Sequence, residues 1–478
     1  MTFADLGPLL PIIVLATGAV VTMLAIAFGR NHKVTFALSA ATFIAGLVSI
    51  LLVAPLATRR VTALLLMDNY ALLYVALILL ASLAVAMLSY GYLESYDGQK
   101  EEFYLLLILA TLGSCVLAAS SHFVSFFLGL EILSVSLYAM VAYRRGWDRS
   151  IEAGIKYLIL AATSAAFLLF GMALVYAELG TMEFGRMAAA GGNLGVVTLA
   201  GLALLVVGIG YKLAVVPFHL WTPDVYEGAP APATAFVATV SKGAMFALLL
   251  RYFNQVDILG VGSIWLVFAL IAIASMLAGN LLALLQDNVK RILAYSSIAH
   301  LGYALVAFLA GGALGAAAGT FYMAAYMATS LVAFGVVAAL STAESDADRF
   351  DDYRGLYWRR PWLAGLFTLA LVSLAGIPLT AGFIGKFLIL TAGAGVAAWA
   401  LVLVVVVSSS IGAFYYLRLT FAMYARTPDG DAVRVPVAPA LSPVAGIALA
   451  ASAILVVILG VYPGPLLEAI QAAVAGIV

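Results

Sequence analysis

The chain has 478 residues, 65% of them hydrophobic and only 10% charged, with a mean hydropathy of +1.13. Lys plus Arg (23) balance Asp plus Glu (23), and a water-soluble protein so apolar and so neutral would lack the polar groups to cover its surface. Soluble enzymes, disordered proteins and nucleic-acid binders are thereby excluded, and a single cysteine, Cys115, rules out an internal disulfide framework and a cysteine-ligated cluster.

In a bilayer every backbone amide must be satisfied within the protein, so long apolar runs are helices, and about 20 residues cross the hydrocarbon core. Runs of that length stand at 8–29, 34–54, 70–93, 103–119, 122–142, 151–178 and 193–223. They continue at 230–252, 262–284, 291–310, 313–341, 361–392, 395–424 and 439–463, about fourteen helices in all. The alternating ten-residue strands of a β-barrel are absent. The expected fold class is an all-α polytopic membrane protein. The first run is not read as a signal peptide, because Met1–Gly7 carries Asp5 and no basic residue.

Arg30 and Lys33 follow the first run, which places the N-terminus outside by the positive-inside rule. Alternating from there, cytoplasmic loops collect Arg30, Lys33, Lys100, Arg144, Arg145, Arg149, Lys290, Arg291, Arg349, Arg354, Arg359, Arg360, Arg426 and Arg434. Outside loops collect only Arg59, Arg60, Arg186 and Arg251, so the bias supports the count and puts both termini on the periplasmic side. The longest polar stretches, Ser341–Arg360 and Ala425–Pro439, are too short for a soluble domain. Gly311, Gly315 and Gly319 have the spacing of close helix packing.

A charge at membrane depth costs roughly 2.5–3.5 kcal/mol on insertion scales, so it must face protein or water. Glu131, Lys212, Lys242 and Lys386 all lie too deep in apolar runs for easy snorkelling. Read as structural ion pairs, one acid and three lysines leave two lysines over. Read as a proton path, lysine is the apt cation, because an ammonium can lose its proton and a guanidinium effectively cannot. Two runs also look broken: 210–224, with Pro217 and Pro223, and 376–385, with Pro378. Interrupted helices are tolerated at membrane depth only where buried or lining a cavity, and paired interruptions point to a repeat and its ion site. Each break has a lysine beside it.

His219, seven residues after Lys212, would share its face on a continuous helix, and reads equally as a relay or a hydrogen-bonded structural histidine. His300 has the same two readings, with Ser296 and Ser297 positioned to hold water nearby. Glu152 and Lys156 form an i,i+4 pair near the cytoplasmic end of the sixth run, either a local salt bridge or a point of proton access. His32 and His122 stand at helix ends, and Arg418 lies near the end of the thirteenth run.

The segment Pro217-Phe-His-Leu-Trp-Thr-Pro-Asp-Val-Tyr-Glu-Gly-Ala-Pro230, with Ser241-Lys242, resembles the antiporter-like membrane subunits of respiratory complex I. Asp287-Asn-Val-Lys-Arg-Ile-Leu-Ala-Tyr-Ser-Ser-Ile-Ala-His-Leu-Gly-Tyr303 is similar to the N-type subunits within that family, as are Glu131 in Gly-Leu-Glu-Ile, Glu152 to Lys156, and Gly382-Phe-Ile-Gly-Lys386. The resemblance runs from the fourth run to the thirteenth. It implies three N-terminal helices over 1–102, two inverted five-helix repeats over 103–252 (helices 4–8) and 253–424 (helices 9–13), and a last helix over 425–478. The seventh and twelfth helices would be the interrupted ones. It implies further that Glu131 pairs with Lys212, that Lys242 links the halves, and that Lys386 ends the second half.

The function this implies is proton translocation by a non-redox subunit of a translocating NADH:quinone oxidoreductase in the bacterial inner membrane. The chain has neither a cysteine set for an iron–sulfur cluster nor a strand-borne Gly-x-Gly-x-x-Gly loop nor a flavin signature. No cofactor or metal is therefore expected on it. NADH, FMN, iron–sulfur clusters and quinone would belong to partner subunits. The expected neighbours are other antiporter-like subunits, small membrane subunits of the complex, and lipid. The alternative is a subunit of a multi-subunit cation/proton antiporter.

Overall fold

The computed structural model describes residues 3–56, 59–96, 98–190, 195–256, 262–426 and 441–477. Arg434 and nearly all of the expected loop at 425–439 lie outside these, as does Met1. The chain begins with α1 (Leu10–Phe28), α2 (His32–Val53), α3 (Asn69–Glu94), α4 (Glu101–Ala118), α5 (Phe123–Val141) and α6 (Asp148–Leu179). A short α7 (Phe184–Ala190) precedes the first interrupted crossing, made of α8 (Val196–Leu213) and α9 (Trp221–Gly228). Next come α10 (Ala231–Phe236), a π-turn at Val237–Ser241, and α11 (Lys242–Val256), which run on as one crossing. Then follow α12 (Gly262–Leu284), α13 (Val289–Ala310) and α14 (Gly312–Leu340), and two single turns, α15 (Phe350–Tyr353) and α16 (Leu356–Arg359). The second interrupted crossing is α17 (Pro361–Ala375) with α18 (Ala381–Gly395), followed by α19 (Trp399–Tyr424), α20 (Pro443–Val461) and a final α21 (Gly464–Val474).

Among the described residues 13 helices are long and apolar enough to cross a membrane, and the α17–α18 pair supplies the fourteenth crossing. Among the described residues the one two-stranded ribbon is β1 (Arg59–Arg60) with β2 (Leu66–Met67), in the loop after α2. Burial is graded across the bundle. The crossing Ala231–Val256 is entirely buried and α13 and α14 nearly so, whereas α1, α2, α6 and α19 turn most of their length outward. Their outer faces carry Leu51, Phe170, Leu403 and Phe421, the contiguous apolar exposure that lipid solvates.

Helices adjacent in sequence pack as antiparallel pairs, α4 with α5, α6 with α8, and α12 with α13, while α14 packs on both halves of the second interrupted crossing. The α13–α14 hairpin turns through Gly311 and Gly312, at φ +65° and +57°, where an L side chain would be strained. Gly311 is thus a turn residue. The close packing expected of the glycine series belongs to Gly315, against the Ala307 carbonyl, and Gly319, against the Phe246 ring.

Two cations assigned to loops by their position are fully buried. Arg251 forms a two-pronged pair with Asp68, each bond 2.8 Å, and Asp68 also caps α3 by accepting from the Ala71 N–H at 2.7 Å. Lys290 pairs with Asp346 at 2.6 Å. Both stand at crossing ends, where helix length alone suggests water, and in both cases tertiary packing has closed over the charge.

Candidate functional site

Each break arises from a helix closed by a left-handed residue. Helix α8 ends at Ala214, with φ +61°, one residue after the last turn that carries Lys212. The chain then passes through Pro217, preceded by a cis peptide bond, and re-enters helix at Trp221. Pro223 does not break anything: it occupies the first turn of α9, where its missing N–H is no loss. In the second break α17 ends at Gly376, φ +84°, and Thr380 precedes α18.

Lys212 is buried, and its Nζ donates to Ser134 Oγ and to Tyr157 OH, both at 3.0 Å. Ser134 lies one turn beyond Glu131 on α5, and donates in turn to the Leu130 carbonyl. Glu131 is half-buried and makes no contact ion pair with Lys212 among the described residues, yet it is the acid whose charge reaches that lysine. The carboxylate and ammonium therefore interact through space rather than as a closed pair.

Lys242 begins α11 directly after the π-turn, a wider turn that rotates the following side chain relative to a regular helix. Its Nζ donates to Ser297 Oγ at 2.5 Å and lies 5.4 Å from the Tyr226 ring centre. Tyr326 OH donates to the same Ser297 oxygen at 2.6 Å, and Tyr226 OH approaches it at 3.4 Å. One turn further along α13, His300 has both ring nitrogens engaged, Nδ1 with Tyr322 OH at 2.6 Å and Nε2 with Tyr416 OH at 3.2 Å. Tyr416 also contacts Ser296. The charges of Lys242 and Lys386 both reach His300.

Lys386 reaches back across the second break. Its Nζ donates to the Leu374 and Ala375 carbonyls, each 2.9 Å away, and to Ser409 Oγ at 2.6 Å. Those carbonyls are the C-terminal end of α17, the negative end of its dipole, so neutral groups alone stabilise the ammonium. A Cβ on Gly376 would lie 2.8 Å from Lys386 Cδ, which makes glycine doubly required there. A cavity of about 310 Å³ opens beside Lys386 between α18 and α19.

His219 and the Glu152–Lys156 pair stand apart from this array. His219 is buried in the break, so the seven-residue helical spacing from Lys212 does not apply, and its Nδ1 has no hydrogen-bond partner among the described residues. Lys156 bonds Glu152 and Asp224, both at 2.7 Å, and Arg291 bonds Asp224 at 2.8 Å and Glu227 at 2.9 Å. The result is a half-exposed salt-bridge network around a cavity of about 120 Å³. His122 caps α5, accepting from the Val124 N–H at 3.1 Å, and burial lowers its imidazole below the usual value. Arg418 pairs with Asp287 at 2.6 Å.

The hydroxyls that hold the lysines, Ser134, Tyr157 and Ser409, and the two that bond Ser297, Tyr226 and Tyr326, were not singled out by sequence reasoning. Of the array's serines only Ser296 and Ser297 were marked, as water holders, and both bond side chains directly. Periodicity identifies a buried face but not which of its hydroxyls meets a charge from another helix.

Residues 120–412, which contain all four deep charges, match the family model described as "NADH:quinone oxidoreductase/Mrp antiporter, TM". The chain belongs to that family. It is 48% identical over 98% of its length, and 95% of the relative's, to NADH-quinone oxidoreductase subunit N of Methylococcus capsulatus. It resembles a chain of respiratory complex I from Thermus thermophilus with bound aureothin at a TM-score of 0.83 and 34% identity, covering 97% of this chain and 100% of that one. A chain of the Mrp complex from Dietzia sp. shares the fold at a TM-score of 0.86 and 21% identity, covering 100% and 98%. Family membership and the apolar crossings make this a multi-pass protein of the bacterial inner membrane.

Proposed function

We propose that this chain is the proton-translocating, non-redox N-type membrane subunit of a bacterial NADH:quinone oxidoreductase. The observation that carries the reading is the way three lysines are held. Lys212, Lys242 and Lys386 are each buried beside a helix irregularity and bonded by hydroxyls or carbonyls, with no carboxylate in contact among the described residues. A purely structural cation is normally paired, because a buried charge left to neutral partners costs several kcal/mol. Partners that bond an ammonium and also tolerate an amine suit a group that gains and loses protons.

The residues then take graded roles. Glu131 loads Lys212 when it swings closer and releases its proton when it withdraws, with Ser134 and Tyr157 holding the lysine in either state. Lys242 exchanges its proton through Ser297. His300, with a tyrosine hydroxyl on each nitrogen, passes a proton by exchanging tautomers. Lys386, at the end of α17, delivers it outward. His219 and the Glu152–Lys156 pair serve the geometry of the first half rather than the relay. The halves 103–252 and 253–424 act as two inverted repeats, each with its interrupted crossing. NADH, FMN, iron–sulfur clusters and quinone are held by partner subunits, and neighbouring antiporter-like and small membrane subunits flank the chain in lipid, with both termini periplasmic.

Lys212→Ala and Glu131→Ala test this in the assembled complex: each should sharply lower quinone reductase activity coupled to pumping while leaving assembly intact. Wild-type rates in properly assembled variants would refute it. The shared fold of the Mrp chain sustains one other reading, a subunit of a cation/proton antiporter assembly. Purification from native membranes separates the two, since co-migration without NADH- and quinone-handling subunits would favour the antiporter.

A further inference from the structure

A second titratable pair lies between this array and the face that carries the basic loops. Lys290 has no exposed surface, bonds Asp346 Oδ2 at 2.6 Å, and donates to the Ala229 carbonyl at 2.6 Å. Asp346 is also buried, yet it forms part of the wall of a cleft of about 1150 Å³. Tyr92 OH donates to the other Asp346 oxygen at 2.8 Å, and Arg144 donates to Tyr92 OH at 3.2 Å while stacking 3.4 Å over the Trp147 ring. The cleft is lined by eight carboxylates, among them Glu227, Asp287 and Asp348, against four guanidiniums, a field that concentrates protons at its floor. Burial raises the carboxyl of one of them, Asp352, above its ordinary value.

Two placements connect this pair inward. Lys290 and Ser297 stand seven residues apart on α13, two turns along one face and about 10 Å in rise. Ala229, which Lys290 bonds, closes α9, the helix whose Tyr226 faces both Ser297 and Lys242. The choice of cation is informative as well. Another buried pair of the fold, Arg251 with Asp68, uses a guanidinium in two-pronged geometry, the form suited to a permanent tie. Here the cation is a lysine, which can give up its proton.

We propose that Asp346 and Lys290 are the proton-uptake site of this chain, receiving protons from the acidic cleft and passing them along α13 to Ser297 and Lys242. The inference rests on the relay proposed above. The Lys290 ammonium gives a proton inward and becomes an amine. A proton taken from water in the cleft onto the Asp346 carboxylate then moves across the 2.6 Å contact to restore the ammonium. One proton enters per cycle, and both groups return to their starting state.

The test uses the intact complex, with assembly verified, and follows quinone reduction and vesicle acidification. Asp346→Asn should slow coupled turnover by about tenfold or more, Asp346→Glu should retain most of it, and azide, a small permeant proton carrier, should restore the Asn variant. Lys290→Arg keeps the ion pair and the tie but not the exchangeable proton, so it should assemble and turn over slowly. Wild-type turnover in Asp346→Asn or in Lys290→Arg, or a slow Asn variant that azide leaves unchanged, would overturn the proposal. Lys242→Met in the same preparation separates the two claims. A slow Lys242 variant beside a wild-type Asp346→Asn removes only the uptake site, whereas wild-type turnover in Lys242→Met removes the relay itself.

Discussion

Ser297→Ala is the most incisive single change for the centre of the array. The Ser297 oxygen accepts from Lys242 Nζ at 2.5 Å and from Tyr326 OH at 2.6 Å, so one atom serves both the lysine and its hydroxyl neighbour. Alanine leaves the helix intact and removes the one hydrogen-bond partner of the Lys242 ammonium among the described residues, leaving the Tyr226 ring 5.4 Å away. A hydrogen bond to a charged group contributes about 1.5–3 kcal/mol, which as a barrier corresponds to a rate loss of roughly 10- to 150-fold. Tyr226→Phe is the internal control. Its 3.4 Å approach to Ser297 is long for a hydroxyl pair, and its loss should cost no more than about threefold. The assay is NADH-driven quinone reduction and acidification by the reconstituted complex, with assembly checked for each variant. Wild-type coupled turnover in Ser297→Ala, or an equal loss in both variants, would refute the assignment of Ser297 to the path.

Other expectations follow from the same geometry. Gly376→Ala should impair coupled turnover while sparing assembly, because its φ of +84° costs an L residue roughly 1–2 kcal/mol and its Cβ would press on Lys386 Cδ at 2.8 Å. Turnover equal to wild type would show that Lys386 does not need its present position. Asp68→Ala strands a fully buried guanidinium, a loss of about 3–5 kcal/mol that thermal denaturation of the complex in detergent should register as a lower midpoint. Replacing both partners with apolar residues, Asp68→Leu with Arg251→Met, should recover much of that loss; a double variant as unstable as the single one would contradict the reasoning.

The membrane class and the fourteen crossings were legible because apolar run length is a direct readout of bilayer thickness. The interruptions were legible from Pro217, Gly376 and Pro378, although Pro223 proved to sit where proline is harmless. The deep charges stood out because lipid makes them rare. What stayed hidden depends on other helices. The π-turn before Lys242 has no local sequence mark, and neither Ser134, on α5, nor Ser409, on α19, can be matched to a lysine from spacing within its own helix. Counting loop cations by position likewise missed Arg251 and Lys290, because burial at a crossing end is set by what packs over it. The shared face expected of His219 and Lys212 was lost for the converse reason. Their spacing assumed a helix that Ala214 closes.

The central claim is that buried lysines carry protons rather than merely charge, and Lys386→Arg tests it most directly. The guanidinium can keep a positive charge facing the α17 carbonyls while being unable to release a proton. Acidification and quinone reduction by the reconstituted Lys386→Arg complex should show full assembly with pumping abolished or severely reduced. An assembled Lys386→Arg complex that pumps at the wild-type ratio and rate would contradict the account.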